Sequence, residues 1–556
     1  MTRRAGAVAS AASVASAASV AASAALIVLA LGKGAAAQER PSEDELFGGA
    51  TTPPAAAPPA ATPPAATPPA AAPPAATPPA EVAGAPAQPA SRDAQILGAT
   101  HSDMFSEEAA PDDPLEIGGQ LNLRTQSTAI EGQSPGDFSF SAPSLLDVYL
   151  DARPNDRVRG FVLGRMSFDS TLPSQSGAPA GVRAPDATGG TAGSASPAAL
   201  FTPQTRGPRI VLDQLWLRFD VAHTVFVTAG KQHVRWGTGR FWAPTDYLHF
   251  RRRNPLDVFD ARSGTTLVKL HLPIESRAWN FYAFAVTEGN GATPTLGRVA
   301  GAARAELVFG AAELGLGAFI QRDLEPKWAA DLSTGIGDFD VYGELALRAG
   351  SDIDRVQFNP NAVVPTFDPA PSWETPEATA LRQLEQVVDA FYPVYRSRGL
   401  KAQAVGGLSY SQKYNDNDTF TLGAEYFYNG LGHHGPAPYP GLVLPHSTEL
   451  VDAATFFYLG QHYAALFLAL PAPYSLDNHT FTLSTLGNIS DLSFITRLDY
   501  SLVLLTHLRF EAFASARYGH ENGEFRFGVS QLELGGLNFS RPPAIADFGM
   551  GLRIDI

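Results

Sequence analysis

The stretch QLWLRFD, residues 214–220, alternates between apolar and polar side chains, and a second alternating stretch, TLVKLHL, occupies residues 266–272. Between them lies WGTGRFWAPTDYLHFRRRNPLDVFDARSG, residues 236–264, which combines Arg, Trp, Gly, Pro and Asp as no other part of the chain does. Alternation with a period of two is typical of a β-strand, because successive side chains point to opposite faces of a sheet. These residues therefore predict strands that are joined by one unusual loop.

The same alternation recurs from Leu115 to the carboxyl end, where only residues 376–389 show a helical period of useful length. One face is apolar and the opposite face carries charged or polar side chains in the stretches 115–124, 146–153, 158–169, 339–348, 420–428, 508–517 and 547–556. Charges of both signs on one face and almost none on the other are typical of a transmembrane barrel with a wet interior. The hydrocarbon core of a bilayer offers no water to hydrogen-bond backbone groups, so only helices and closed barrels, which pair these groups internally, can span it. The chain is therefore predicted to be all-β, a transmembrane antiparallel β-barrel.

One residue departs from the pattern. Asp213 falls in register on the apolar face of its strand. We expect it near a rim of the barrel, where the cost of a lipid-facing charge is small.

The lengths of the connections provide an independent test. The chain divides into about 18 strands, with about 16 as the alternative, since strand boundaries are the least certain feature. Short links follow the even-numbered strands, and long links follow most odd-numbered strands, at 125–143, 170–206, 236–263, 349–397, 429–452 and 519–543. Short links near Asp323 and Ser490 are the exceptions. Such asymmetry with an even strand number is typical of bacterial outer-membrane barrels, whose termini are both periplasmic.

The amino-terminal segment differs in composition. Residues 1–37 contain a basic start, an apolar core and small residues, which predicts a signal peptide rather than a retained anchor. Residues 38–114 contain an acidic tag and a five-residue Pro/Ala/Thr repeat, which favours an extended disordered periplasmic tether, or a linker without a partner. The barrel then occupies residues 115–556. The chain has no Cys, so no disulfide framework is expected.

The barrel resembles a Gram-negative outer-membrane β-barrel of the porin-like type, from a poorly characterised group. The closing residues 551–556, GLRIDI, are similar to the terminal strand signal of that class, although Ile556 stands where Phe or Trp is usual. The loop motifs WG, GR, PTD, NPLD and RSG between Trp236 and Gly264 carry the most specific part of the resemblance. It implies insertion by the general barrel-assembly machinery and no particular solute.

The loop supplies the candidate site. Its candidates for a pore constriction are Arg235, Arg240, Arg251, Arg252, Arg253, Asp246, Asp257, Asp260, Arg262, Trp236 and Trp242. In one interpretation the loop folds into the lumen and its arginines face acidic residues across a constriction, since rings of charge select among solutes. In the other, the Arg and Asp residues pair with each other and lock the loop against the wall. A locked loop could also serve as the constriction, so both interpretations stay open.

The aromatic residues allow two interpretations as well. Trp236, Trp242, Tyr247 and Phe250 could form a track for sugars, but membrane-interface girdle residues are favoured, because Trp and Tyr gather there. The same girdle interpretation applies to Tyr426, Tyr428, Phe456, Phe457 and Tyr458.

Other chemistry has little support. The adjacent pair His433 and His434 would point to opposite faces of a strand, and residues 415–418, NDND, lack the Gly and Glu of a calcium loop. No metal, cofactor or catalytic residue is predicted, so we expect no enzyme. The formal charge of −15 argues against binding to nucleic acid.

The sequence therefore predicts an outer-membrane channel for passive diffusion of small hydrophilic solutes, with residues 236–263 as its constriction. Inward-facing Phe161, Leu163, Trp216 and Leu267 support the alternative of a plugged barrel that serves as a structural or binding platform. An outer-membrane enzyme is the third hypothesis. Expected partners are outer-membrane lipid, lipopolysaccharide, the barrel-assembly machinery and the solutes.

Overall fold

The computed structural model describes a defined part of the chain. It covers residues 114–171, 208–249, 252–256, 262–288, 295–352, 354–368, 371, 375–414, 418–442, 444, 456–474, 476–534 and 537–556. The predicted signal peptide, residues 1–37, and all but the last residue of the predicted tether, residues 38–114, lie outside this part. Both remain predictions.

Eighteen long strands form one antiparallel sheet. The first nine are β1 (Leu115–Ile130), β2 (Pro143–Asn155), β3 (Val158–Asp169), β4 (Arg209–Val221), β5 (Val225–Gln232), β6 (Thr265–Ile274), β7 (Trp279–Val286), β8 (Ala300–Phe309) and β9 (Ala312–Ile320). The others are β10 (Lys327–Ile336), β11 (Phe339–Gly350), β12 (Arg398–Lys413), β13 (Thr419–Asn429), β14 (His462–Pro471), β15 (His479–Asn488), β16 (Ser493–Leu505), β17 (Leu508–Gly519) and β18 (Ala544–Asp555). Each strand pairs with the next, which confirms the predicted antiparallel sheet and favours 18 strands over 16.

The first and last strands close the barrel. β1 pairs with β18 from Gln120 opposite Asp555 up to Ile130 opposite Ala544. The terminal residue takes part as well, because Ile556 and Gly119 exchange backbone hydrogen bonds of 3.0 and 2.8 Å. Closure removes the sheet edges that a bilayer would not tolerate.

Smaller elements lie in the connections. Short strands occupy Ser139–Ser141, Arg355–Val356, Val394–Tyr395, Val529–Leu534 and Leu537–Arg541, and 3-10 turns occupy Pro135–Asp137, Glu275–Arg277, Leu296–Arg298 and Tyr439–Leu442. The helix suggested by the sequence forms as α1 (Pro376–Phe391), with the Thr375 side chain accepting a hydrogen bond from the Ala378 backbone N–H. Within the described residues, no helix has both the length and the apolar character needed to cross a membrane.

The connections follow the predicted alternation of length. Links after even-numbered strands are short, and long links follow β1, β3, β5, β7, β11, β13 and β17. The two predicted exceptions, after β9 and β15, are short. Two boundaries are wrong: β1 continues to Ile130, beyond the predicted start of its link at residue 125, and the connection after β13 continues to Gln461. Phe456, Phe457 and Tyr458 of that connection pack in the interior before β14 begins.

The two faces of the sheet differ as the alternation predicts. Large apolar side chains such as Ile210, Leu466 and Met550 are exposed on the outside, whereas Asp147, Arg497 and Asp547 are buried on the inside. An apolar exterior around a charged interior is the arrangement of a transmembrane barrel. We therefore assign the outward face to lipid.

The predicted lipid-facing orientation of Asp213 is wrong. β3 pairs Leu163 with Gln214 but Gly164 with Leu212, so Asp213 is the additional residue of a β-bulge. The bulge changes the side-chain register, and Asp213 and Gln214 both face the lumen, where both are buried. The sequence pattern could not reveal this, because a single extra residue makes an inward position look outward.

A charge placed on the outer face tests this assignment. The Leu466 side chain is 58% exposed near the middle of β14, so Leu466→Arg is expected to destabilise the barrel by about 2–4 kcal/mol. Tyr474 lies in the short connection after β14 and is 93% exposed, so Tyr474→Arg should cost about 1 kcal/mol or less. Reversible unfolding in urea with lipid vesicles measures both. Equal costs for the two variants would contradict a lipid-facing β14.

Candidate functional site

The connection after β5, residues 233–264, folds into the barrel and is named here the lumen loop. Its described residues are 233–249, 252–256 and 262–264. Trp236, Trp242 and Tyr247 are buried against inward-facing side chains of the wall. The loop therefore lies inside the barrel, along its wall.

Glu425 on β13 binds three consecutive backbone amides of the lumen loop. The N–H groups of Arg240, Phe241 and Trp242 donate to its carboxyl oxygens at 2.7, 3.1 and 2.9 Å. The Tyr342 hydroxyl donates to the same carboxyl group at 2.8 Å. Successive N–H groups form a concave anion-binding site, so the buried acid has a preformed set of donors.

Glu344 on β11 binds the neighbouring part of the loop. Its carboxyl group accepts from the Gly239 N–H and from the Thr245 hydroxyl, the latter at 2.7 Å. Gly237 has a φ of +97°, and a Cβ atom there would lie 2.5 Å from a Glu344 oxygen. The glycines of the Trp-Gly-Thr-Gly-Arg motif thus permit both the turn and the close approach to the acid.

Aromatic side chains fix the lumen loop on both sides of this contact. Trp236 packs against Phe284 of β7 with ring centroids 5.6 Å apart, and Trp242 stacks on Phe427 of β13 at 5.5 Å. The Tyr247 hydroxyl donates to the Trp328 carbonyl at 2.9 Å, and burial raises the pKa of Tyr247 to about 12. The loop therefore joins two apolar clusters that line the wall from β6 to β16.

The girdle prediction is wrong for the buried aromatic residues. Trp236, Trp242 and Tyr247 lie in the interior, and so do Phe457 and Tyr458 of the connection after β13, with Phe456 packed beside them. Tyr426 and Tyr428 do lie on the outward face of β13. Phe250 is outside the described residues.

The two ends of the lumen loop meet at Asp213. The Gly264 N–H donates to the Asp213 carboxyl group at 3.2 Å, and His233 Nε2 lies 3.2 Å from it. Arg165 on β3 pairs with the same carboxylate at 3.4 Å. The side chain of the bulge residue therefore joins the start and the end of the loop to the wall.

Some predicted charged residues pair within the loop. Arg262 pairs with Asp246 at 3.0 Å, and His249 lies 3.4 Å from Asp246. Burial alone would raise the pKa of Asp246, but His249 and Arg262 hold it below its ordinary value. This part of the loop has the internal pairing that the locking interpretation requires.

The remaining candidates are distributed along the loop. Arg235 donates to the Gly239 carbonyl, and the Arg240 guanidinium lies 3.5 Å from the centre of the Phe467 ring. Arg252 lies over the ring of Tyr458, whose hydroxyl donates to the Arg253 carbonyl. Arg251, Asp257 and Asp260 lie outside the described residues.

Two further connections pack on the lumen loop. The Trp242 indole N–H donates to the Phe457 carbonyl at 3.0 Å, which joins the connection after β13. Glu524, in the connection after β17, accepts from the Tyr458 N–H at 3.1 Å and from the Tyr463 hydroxyl at 2.6 Å. Burial, followed by the charge of Asp491, raises the pKa of Glu524 to about 8. Three connections thus form one hydrogen-bonded assembly inside the barrel.

The opposite side of the lumen has a different chemistry. Ion pairs cross the inner wall from β2 to β4 and from β16 to β18, where Arg165 pairs with Asp147 at 3.0 Å and Arg517 with Asp547 at 2.6 Å. Arg124 and Glu511 approach each other at 3.7 Å and remain partly exposed. One side of the lumen therefore carries the apolar clusters and the loop, together with charged residues such as Arg304 and Asp331, and the other is lined mainly by ion pairs.

Sequence reasoning missed Glu344, Glu425 and Glu524. Glu344 and Glu425 lie in alternating stretches that predict only an inward polar position, and Glu524 lies in a connection for which the sequence predicts no contact. The one available signal was the scarcity of cations among their alternating neighbours. Residues 421–428 around Glu425 contain no Lys or Arg, and residues 340–348 around Glu344 contain only Arg348. An inward acid without a cation suggests another donor, but the donor cannot be named without the fold.

An 18-stranded closed barrel with an apolar exterior and a charged interior defines the class of transmembrane antiparallel β-barrels. No protein-family model and no curated protein sequence matches this chain. Among solved structures, OccK2 (OpdF) of Pseudomonas aeruginosa is similar over 80% of this chain and 97% of its own, with 10% identity and a TM-score of 0.43. OccAB4 of Acinetobacter baumannii is similar over 81% of this chain and 100% of its own, with 7% identity and a TM-score of 0.42. A BenF-like porin from Pseudomonas fluorescens Pf-5 is similar over 79% of this chain and 98% of its own, with 11% identity and a TM-score of 0.42.

Removal of the Glu425 carboxyl group tests the attachment of the loop. Glu425→Ala leaves three buried loop amides without their acceptor, which costs at least about 3 kcal/mol locally. Hydrogen exchange at residues 240–242 should therefore accelerate roughly hundredfold. Glu511→Ala serves as the control, because it removes an inward acid that approaches Arg124 of the barrel wall. Unchanged exchange at residues 240–242 in Glu425→Ala would contradict the attachment.

Proposed function

We propose that this protein is a passive outer-membrane channel for small hydrophilic solutes, in which the lumen loop forms the constriction. The observation that carries the proposal is a loop fixed inside a closed barrel by the buried acids Glu344 and Glu425. A loop held in this way narrows the lumen without depending on its own stiffness. Solutes would diffuse down their gradient and be filtered by size and charge.

The distribution of polar groups supports an open path. A plugged barrel would surround its lumen with apolar contacts, but the inner wall opposite the loop carries ion pairs such as Arg159 with Asp151 at 2.8 Å. Partly exposed groups such as Arg124 and Glu511 fit a hydrated passage better than a dry plug. Phe161 and Leu163, which first suggested a plug, pack into this wall beside Trp216.

Single-channel recording tests the proposal. Purified protein in planar bilayers should give steady conductance steps, because the constriction is fixed. Glu425→Ala should give larger and more variable steps, since its loop is released, whereas Glu511→Ala should remain steady. A silent bilayer with folded, heat-modifiable protein would support the closed platform instead. Turnover of a supplied substrate by such protein would support the enzyme.

The same proposal gives the barrel an orientation and partners. The long connections would face outward, next to lipopolysaccharide, and both termini would face the periplasm. Residues 1–37 would direct export and be removed, and residues 38–114 would extend into the periplasm from β1. The barrel-assembly machinery would insert the barrel into the lipid.

Chemical labelling tests the orientation. The chain has no Cys, so single substitutions report cleanly. Val363, in the connection after β11, is 82% exposed, and Tyr474 is exposed at the other end of the barrel. In intact cells, a maleimide on a polymer too large to cross the membrane should label Val363→Cys. It should label Tyr474→Cys only after the outer membrane is ruptured, and the reverse result would invert the orientation.

A further inference from the structure

Three cations occupy neighbouring positions on the inner wall near the long connections. Lys327 of β10 is the cross-strand partner of Arg348 of β11, and Arg348 is the partner of Lys401 of β12. Cross-strand partners point to the same face, with Cβ atoms about 5 Å apart. We name Lys327, Arg348 and Lys401 the cation row.

The lumen loop shows which way this row points. The Arg348 guanidinium lies 5.5 Å and the Lys327 ammonium 5.8 Å from the ring centre of Tyr247, which is inside the barrel. Arg252 of the lumen loop is close enough to interact electrostatically with both Lys327 and Tyr247. The cation row therefore faces the lumen, and the loop adds a fourth positive charge beside it.

Among the described residues, negative charge near the cation row does not balance Lys327, Arg348 and Lys401. Asp352 pairs with Lys327 at 2.5 Å, and Glu344, further along β11, accepts from the Gly239 N–H and the Thr245 hydroxyl of the lumen loop. Within the described residues, Lys401 has no ion-pair partner and the buried Nε atom of Arg348 has no hydrogen-bond partner. Like charges opposite each other destabilise a sheet, so the row stores a repulsion that a bound anion would relieve.

We propose that the cation row, together with Arg252, binds a polyvalent oxyanion, with a phosphate group as the simplest case, next to the constriction. This inference rests on the proposed channel function and adds a solute class to it. Among the described residues, one paired carboxylate, that of Asp352, faces the three cations of the row, and a polyvalent anion offsets the difference better than a monovalent one. A phosphate oxygen can accept from a planar guanidinium while its other oxygens accept from the ammonium groups on either side.

Block of the channel by inorganic phosphate tests the site. At a pH near 7.5, phosphate should reduce the chloride current of the wild-type channel at low concentration, whereas nitrate should have little effect. In the double variant Arg348→Gln, Lys401→Gln, the half-blocking concentration should rise at least about tenfold, because two charge-assisted contacts are lost. Lys413→Gln, at the opposite end of β12, removes one charge away from the row and should leave the block within about twofold.

A second measurement separates this inference from the channel proposal. Calorimetric titration of phosphate into detergent-solubilised protein needs no conduction. If the protein conducts but the double variant does not weaken the phosphate block, the proposed binding site is wrong and the channel proposal stands. If the protein does not conduct but binds phosphate, and the double variant abolishes that binding, the channel proposal is wrong and the binding site stands. The Gln substitutions remove repulsion, so folding should persist, and heat-modifiable migration would verify it.

Discussion

Backbone amides that leave the sheet inside a barrel need acceptors, and Glu344 and Glu425 supply them to the lumen loop. An unpaired buried N–H group costs about as much as a lost hydrogen bond, and residues 239–242 present four of them in succession. Water could satisfy them only if the loop left its apolar contacts. The two acids allow the amides and the aromatic rings of one segment to be buried together.

The bulge in β4 makes this arrangement possible at the ends of the loop. Without the extra residue, Asp213 would face lipid, where a charge is costly. With it, Asp213 faces inward and receives Gly264 and His233 from the two ends of the loop. A loop anchored at its ends by one acid and at its middle by two others has few ways to leave the lumen. The attachment therefore depends on wall carboxyl groups, and the Asp246–Arg262 pair within the loop only supplements them.

The fold could be predicted from the sequence and the attachment could not. Alternation and connection length are local properties, so the strands, their number and the parity of the links follow from single stretches of chain. The acceptors at Glu344 and Glu425 depend on pairing between segments about 100 to 200 residues apart, which a single sequence does not disclose. The prediction that the aromatic residues of the lumen loop form a membrane-interface girdle was wrong for a related reason. Trp and Tyr are suited to the membrane interface and to a buried site with one polar partner, as the Trp242 indole shows.

The lumen is electrostatically uneven as a consequence of where the loop is attached. Apolar clusters cover the wall from β6 to β16 at the level of the loop, and paired charges line the wall from β16 through β18 to β4. Low-dielectric walls focus the field of nearby charges, so in the proposed channel those ion pairs would act more strongly on a passing solute than they would in open water. As the proposed constriction, the loop would both narrow the lumen and concentrate the field of the opposite wall in the passage that is left. Size and charge would then be sensed at the same level of the barrel.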